Sequence, residues 1–166
     1  MKRAVLAILL VLAAAPLTAL APLAAAPGSG LPPDPLKSLL PIPNGASRYL
    51  ESCGGCHGLT GSSAKREIPE LKGHVGRFAC TAEGRAYIGR LPNVAFANLS
   101  DQNLAEAMNY MVFTLGGTSA PKGAKPYSAR EIGALRKQPL KATDLTTMRT
   151  GVLGRAVVAC DQQASR

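Results

Sequence analysis

Residues 53 to 57 read Cys-Gly-Gly-Cys-His, and no other stretch of this chain restricts its fold so severely. A C-x-x-C-H run is the attachment signature of c-type haem. Two thiols three residues apart reach the two vinyl groups on one edge of a porphyrin. The histidine that follows brings a neutral nitrogen beneath the iron as an axial ligand. Cys53, Cys56 and His57 are therefore the first candidate site residues, with His57 the metal ligand and one covalent haem c the cofactor.

Other uses of paired cysteines fit less well. Zinc would need two further ligands, which His74 and Cys80 formally supply. A thioredoxin-like dithiol centre would need strand-helix-strand surroundings, and the sequence offers none. His57 is superfluous to both, whereas haem attachment requires it.

The start of the chain points to export. Met1-Lys2-Arg3 is followed by an apolar run from Ala4 to Ala15 and then by small residues through Ala26, with prolines at 16, 22 and 27. Residues 1–26 have the layout of a secretory signal peptide. Ala19-Leu20-Ala21 and Ala24-Ala25-Ala26 both satisfy the small-x-small rule, each ahead of a proline. The cleavage point stays open, and membrane attachment is expected only if the segment is retained. Haem held through thioethers is assembled outside the cytoplasm, so a periplasmic location agrees with the motif. Residues 27–43 carry Pro27, Pro32, Pro33, Pro35, Pro41 and Pro43, a density that favours an extended linker.

The folded part is expected from Asn44 onward, as a haem domain over 44–117 and a C-terminal extension over 118–166 packed on it. It has no Trp, and the whole chain is 4% aromatic, so a porphyrin would supply much of its apolar centre. The formal net charge is +9, and removal of Lys2 and Arg3 with the signal segment leaves 9 − 2 = +7. An exported chain without a basic-aromatic stripe argues against nucleic acid. A docking face for an acidic redox partner suits the charge, as does a merely solubilising one.

The hydrophobic pattern predicts an all-α fold. Asn44 can cap a helix in which Ala46, Tyr49, Leu50 and Cys53 repeat at helical spacing and carry the first thiol inward. Gly58 to Lys65 reads as a small polar loop. Ser100 caps a longer helix running to about Leu115, with Leu104, Ala107, Met108, Met111 and Leu115 on one face and Gly116-Gly117 as the stop. Ser128-Ala-Arg-Glu131 is a capping box for a short helix with Ile132 and Leu135 inward, ended by Pro139.

This layout resembles class I cytochrome c. That family places a helix before the haem motif, then Pro-x-Leu-x-Gly-x-x-Gly-Arg, and closes with a helix bearing an aromatic followed by a large apolar residue. Pro69-Glu70-Leu71-Lys72-Gly73-His74-Val75-Gly76-Arg77 matches the middle stretch, and Asn109-Tyr110-Met111 stands where the closing aromatic belongs. The resemblance covers about Asn44 to Leu115. It implies that the Pro69 carbonyl accepts the other imidazole N–H of His57. It also implies that Leu71 packs on the proximal side, that Arg77 neutralises a haem propionate, and that Tyr110 presses on the first helix. Taken without the motif, Pro69 and Leu71 read as turn and core, and Arg77 as a solvated charge.

The family's distal methionine is missing. The relevant loop reads Gly89-Arg90-Leu91-Pro92-Asn93-Val94-Ala95-Phe96-Ala97-Asn98, with Leu91 in the ligand's place. His74 falls on the proximal side by this match, Met108 and Met111 sit at core spacing, and Met148 lies in the extension. Cys80 and Cys160 are the two unclaimed cysteines. In an oxidising compartment they suit a bridge, the alternatives being free thiols or a thiolate ligand. A vacant or weakly occupied distal position is therefore expected, with Met108, Met111 and Met148 left open as alternatives. The functional expectation is an electron carrier serving a dehydrogenase or oxidase, not an enzyme. The alternatives are a haem-based ligand binder or sensor, or the haem subunit of a dehydrogenase.

Overall fold

The computed structural model describes residues 44–65, 67–141 and 143–165; the expected signal segment and linker lie outside the described residues. Among the described residues every regular element is helical, as the pattern predicts. Helix α1 (Asn44–Ser52) leads directly into the short α2 (Gly54–His57), and a 3₁₀ segment follows at Val75–Cys80. Then come α3 (Ala82–Arg90), the single turn α4 (Pro92–Ala95) and α5 (Asp101–Asn109). A π-helical stretch, Tyr110–Leu115, prolongs α5, and α6 (Ala129–Arg136) and α7 (Leu145–Ala164) complete the chain. No described helix is long and apolar enough to cross a membrane.

The crossing of α1 on α5 anchors the fold. A Cβ at Gly45 would stand 2.6 Å from the Glu106 carbonyl oxygen, so only glycine lets the helices approach this closely. Beside it, the rings of Tyr49 and Tyr110 meet with centroids 5.6 Å apart, a tilted pair. Ala46 and Tyr49 are buried as the spacing demands, but Leu50 is 36% exposed, because α1 needs only a narrow stripe to cover α5. Leu104, Ala107, Met108 and Met111 face inward from the closing helix.

That closing helix is not regular to its end. Ser100 caps it by accepting from Asn103 N–H, but the backbone widens to π geometry at Tyr110. Two tertiary demands accompany the change. The Leu115 carbonyl accepts from Gly73 N–H at 2.9 Å, and a Cβ at Gly116 would press on Gly76 N at 2.7 Å. Local pattern carries neither demand.

The C-terminal part wraps the rest. Ser128 caps α6 by accepting from Glu131 N–H, yet the Glu131 carboxylate turns outward to Arg85 rather than closing the capping box. Arg85 also lies 3.7 Å from the Tyr127 ring centroid, joining α3 to the loop before α6. Helix α7, which the sequence pattern does not announce, is capped by Asp144 and buries Val152 and Ala156. A disulfide between Cys80 and Cys160 ties it to the 3₁₀ segment.

Candidate haem site

Helix α1 delivers the first thiol. Cys53 N–H donates to the Tyr49 carbonyl at 2.8 Å, and then Cys53 leaves helical geometry, so α2 starts afresh with Cys56 N–H and His57 N–H both donating to the Cys53 carbonyl. Gly58, at φ +75°, ends the turn, and its carbonyl accepts the Tyr49 hydroxyl at 2.6 Å. The motif is thus bolted to the buried tyrosine of α1. Both thiols are reduced, Cys56 exposed and Cys53 half-buried. Burial pushes the Cys53 thiol above its ordinary range, and the neighbouring Cys56 adds to the rise.

His57 supplies the decisive geometry. Its Nδ1 lies 3.1 Å from the Pro69 carbonyl oxygen. A carbonyl only accepts, so Nδ1 carries the proton and Nε2 keeps its lone pair. That arrangement orients the ring and raises the basicity of the nitrogen left for a metal.

His57 opens onto a cavity of about 370 Å³, within the range of cofactor sites. Leu71, Val75, Phe78, Ile88, Leu91, Val94 and Val112 give it apolar walls. Pro69, Met108 and Met111 line it as well. The residues present fit haem: reduced thiols on one helix end, a bared Nε2, and an apolar hollow beside it. A zinc reading fails on the same chemistry, since Cys80 is consumed in the disulfide. No cluster of three metal-ligating side chains occurs among the described residues.

The remaining candidates divide around this cavity. Arg77 and His74 do not line it: Arg77 donates to the Gly73 carbonyl, contacts His74 Nδ1 at 3.1 Å, and shares with His74 an adjoining groove. Leu91 and Pro92 do line it, in the sharp junction between α3 and α4 rather than in the open loop the sequence suggests. Met148 is in a different surface hollow and 37% exposed. Neither Cys80 nor Cys160 is available as a thiolate.

Sequence reasoning misses Tyr87 and Ile88 of α3 and Leu145, Thr146 and Arg149 of α7, all of which line the cavity. The signal for α3 is present in retrospect: Thr81 accepts from Gly84 N–H as the cap, and Glu83 sits in the first turn.

His57 lines an apolar hollow with Nε2 free of the Pro69 bond, Cys53 and Cys56 precede it in the same turn without lining the hollow themselves, and the fold and site are those of a c-type haem protein. Cytochrome c-552 of Thermus thermophilus is 30% identical over 115 aligned residues, which span 58% of this chain and 87% of the relative. A second cytochrome c-552 of Thermus thermophilus is also 30% identical over 115 residues, which span 58% of this chain and 77% of that relative. The chain belongs to this family of c-type cytochromes. No family model matches it, and no solved structure matches it.

Proposed function

We propose that this protein is a class I-type electron carrier of the bacterial periplasm, holding one haem c through thioethers from Cys53 and Cys56 with His57 as proximal ligand. The observation that carries the reading is the 3.1 Å approach of His57 Nδ1 to the Pro69 carbonyl, which leaves Nε2 unprotonated on a residue that lines the cavity. When bound, the haem supplies a one-electron Fe(III)/Fe(II) couple. The chain's own residues orient the proximal imidazole and exclude water with apolar walls. The segment with Leu91 brings no histidine, cysteine or methionine to the cavity, so ligand binding at iron is the second reading, favoured by Leu91 and Val94 in the cavity wall.

An acidic dehydrogenase or oxidase is the partner this reading calls for. Its support is a groove beside the cavity where Lys65, His74, Arg77 and Arg149 stand against the single carboxylate of Glu70. Such a patch steers an acidic surface toward the haem edge.

The test is the intact mass of protein matured in an exporting, haem-attaching host. One covalent haem is expected on the parent and none on Cys53→Ala/Cys56→Ala. Stoichiometric zinc, or a parent without haem, overturns the proposal. Carbon monoxide decides the second reading: prompt binding to the reduced form means an open distal site, and no binding means a protein ligand fills it.

A further inference from the structure

Helix α7 turns one stripe toward the body of the protein: Leu145, Arg149, Val152, Ala156 and Cys160 follow one another at spacings of three and four. Val152 and Ala156 are buried, Leu145 lines the haem cavity, and Cys160 is bridged to Cys80. Arg149 is the one charged member of that stripe. It is half-buried and lines both the apolar cavity and the basic groove beside it. Among the described residues it forms no ion pair, although Glu67 and Glu70 stand at the same cavity; the salt bridges formed are Arg48–Glu51, Arg85–Glu131, Arg136–Asp101 and Arg155–Glu83.

A guanidinium held at an inward position against apolar walls is costly unless an anion meets it. The planar fork of arginine suits a carboxylate, and the carboxylates a bound haem brings to this cavity are its propionates. Arg77, which the family resemblance would assign to that task, is turned instead to the Gly73 carbonyl and His74. We infer that Arg149, carried by the C-terminal helix and held in place by the Cys80–Cys160 bridge, is the cation that pairs with a haem propionate and raises the reduction potential of the iron. This rests on the haem-binding reading above.

A positive charge near the iron disfavours Fe(III), which carries one more unit of charge than Fe(II). Removing it lowers the midpoint potential, and the unpaired propionate left behind acts in the same direction. At separations and dielectric constants typical of such sites the effect is roughly tenfold in the Fe(III)/Fe(II) equilibrium, about 59 mV for a one-electron couple.

The experiment is spectroelectrochemical titration of haem-loaded parent, Arg149→Leu, Arg149→Gln, Arg149→Lys and Arg77→Leu. Haem content is read from intact mass and folding from circular dichroism. The expected result is a lowered potential in Arg149→Leu and Arg149→Gln, a smaller shift in Arg149→Lys, and little change in Arg77→Leu. The Gln variant keeps the test open if leucine prevents folding. The titration is repeated at high salt, where a field between exposed charges is screened and a pair inside the cavity is not. A shift that disappears at high salt, or one found in Arg77→Leu and absent from the Arg149 variants, overturns the inference. A parent without haem overturns the proposed function as well, whereas a haem-bearing Arg149→Leu protein with the parent's potential overturns only this assignment.

Discussion

Replacing Cys80 and Cys160 by alanine tests how the C-terminal helix is held. The bridge closes a loop with a sequence separation of 80 residues. On the chain-entropy relation, a loop of that length contributes about 4.5 kcal/mol at 25 °C through the unfolded state. The other anchors of α7 are modest. Val152 and Ala156 are its buried side chains, and a fully buried valine contributes about 1.5–3 kcal/mol. The Arg155–Glu83 pair is more than half exposed on both sides, so solvent screening leaves it little to add. Gln163 donates one hydrogen bond to the Cys80 carbonyl at 3.1 Å, for about 1 kcal/mol.

Without the bridge, these anchors must order a 20-residue helix alone, against roughly 1–2 kcal/mol of backbone entropy per residue. The double variant should therefore lose about 4 kcal/mol in guanidinium unfolding of the haem-loaded protein. Amides of residues 145–164 should exchange through a local opening well below the global free energy. Equal stabilities within about 1 kcal/mol, together with unchanged exchange along α7, would show that packing and not the crosslink holds the helix.

Two further perturbations address the frame. The Tyr49 hydroxyl is pushed up to about 12 by burial, from an ordinary value of 10, so the fold binds its proton more tightly than the unfolded chain does. Its stabilising contribution is complete below pH 10 and is lost as pH rises through about 12. Tyr49→Phe should cost about 1 kcal/mol at pH 7 through loss of the bond to Gly58, yet flatten the decline in stability between pH 10 and 12; equal slopes in both proteins refute this. Arg136 donates to the carbonyls of Ala95, Ala97 and Leu99 and to Asp101 Oδ1, so Arg136→Met should cost about 2–4 kcal/mol and speed amide exchange across residues 94–99. A loss under about 0.5 kcal/mol would mean that the loop holds its shape unaided.

The parts legible in the sequence are those whose physics is local. The Ser100 and Ser128 caps and the apolar faces of α5 and α6 depend on residues within a few positions of each other. The Cys80–Cys160 pairing is legible for a different reason, since only two cysteines remain once the motif has claimed the others. Helix α7 is not legible, because Gly151 and Gly154 lower its propensity and Arg149 interrupts the apolar stripe at the turn that meets the cavity. The π-helical end of α5 is hidden because the contacts that accompany it come from Gly73 and Gly76, some forty residues earlier in the chain. Arg136 is equally hidden, since most of its partners are backbone carbonyls, which leave no trace in side-chain identity.

Those hidden contacts bear on one place, the segment where the family's methionine ligand would stand. Residues 91–99 contain Leu91 and bring no histidine, cysteine or methionine to the cavity, where Asn93 is their polar lining residue. Arg136 gathers three carbonyls of this segment, Arg90 Nε donates to the Gln138 carbonyl at 2.6 Å, and Leu140 N–H donates to the Arg90 carbonyl at 2.8 Å. The loop that carries Leu91 is thus fixed by the stretch from Arg136 to Leu140. The next element, α7, adds Leu145, Thr146 and Arg149 to the wall of the same cavity. Residues 136–140 and 145–149 therefore hold the loop's backbone, close part of the cavity, and bring a cation to it. A chain ending at Gly117 would keep the attachment motif and the Pro69 contact, but Leu91 would rest on an untethered turn and the cavity would lose one side. The turn at Cys53–His57 offers the cavity its histidine, and the helices after Ser128 determine how enclosed that cavity is.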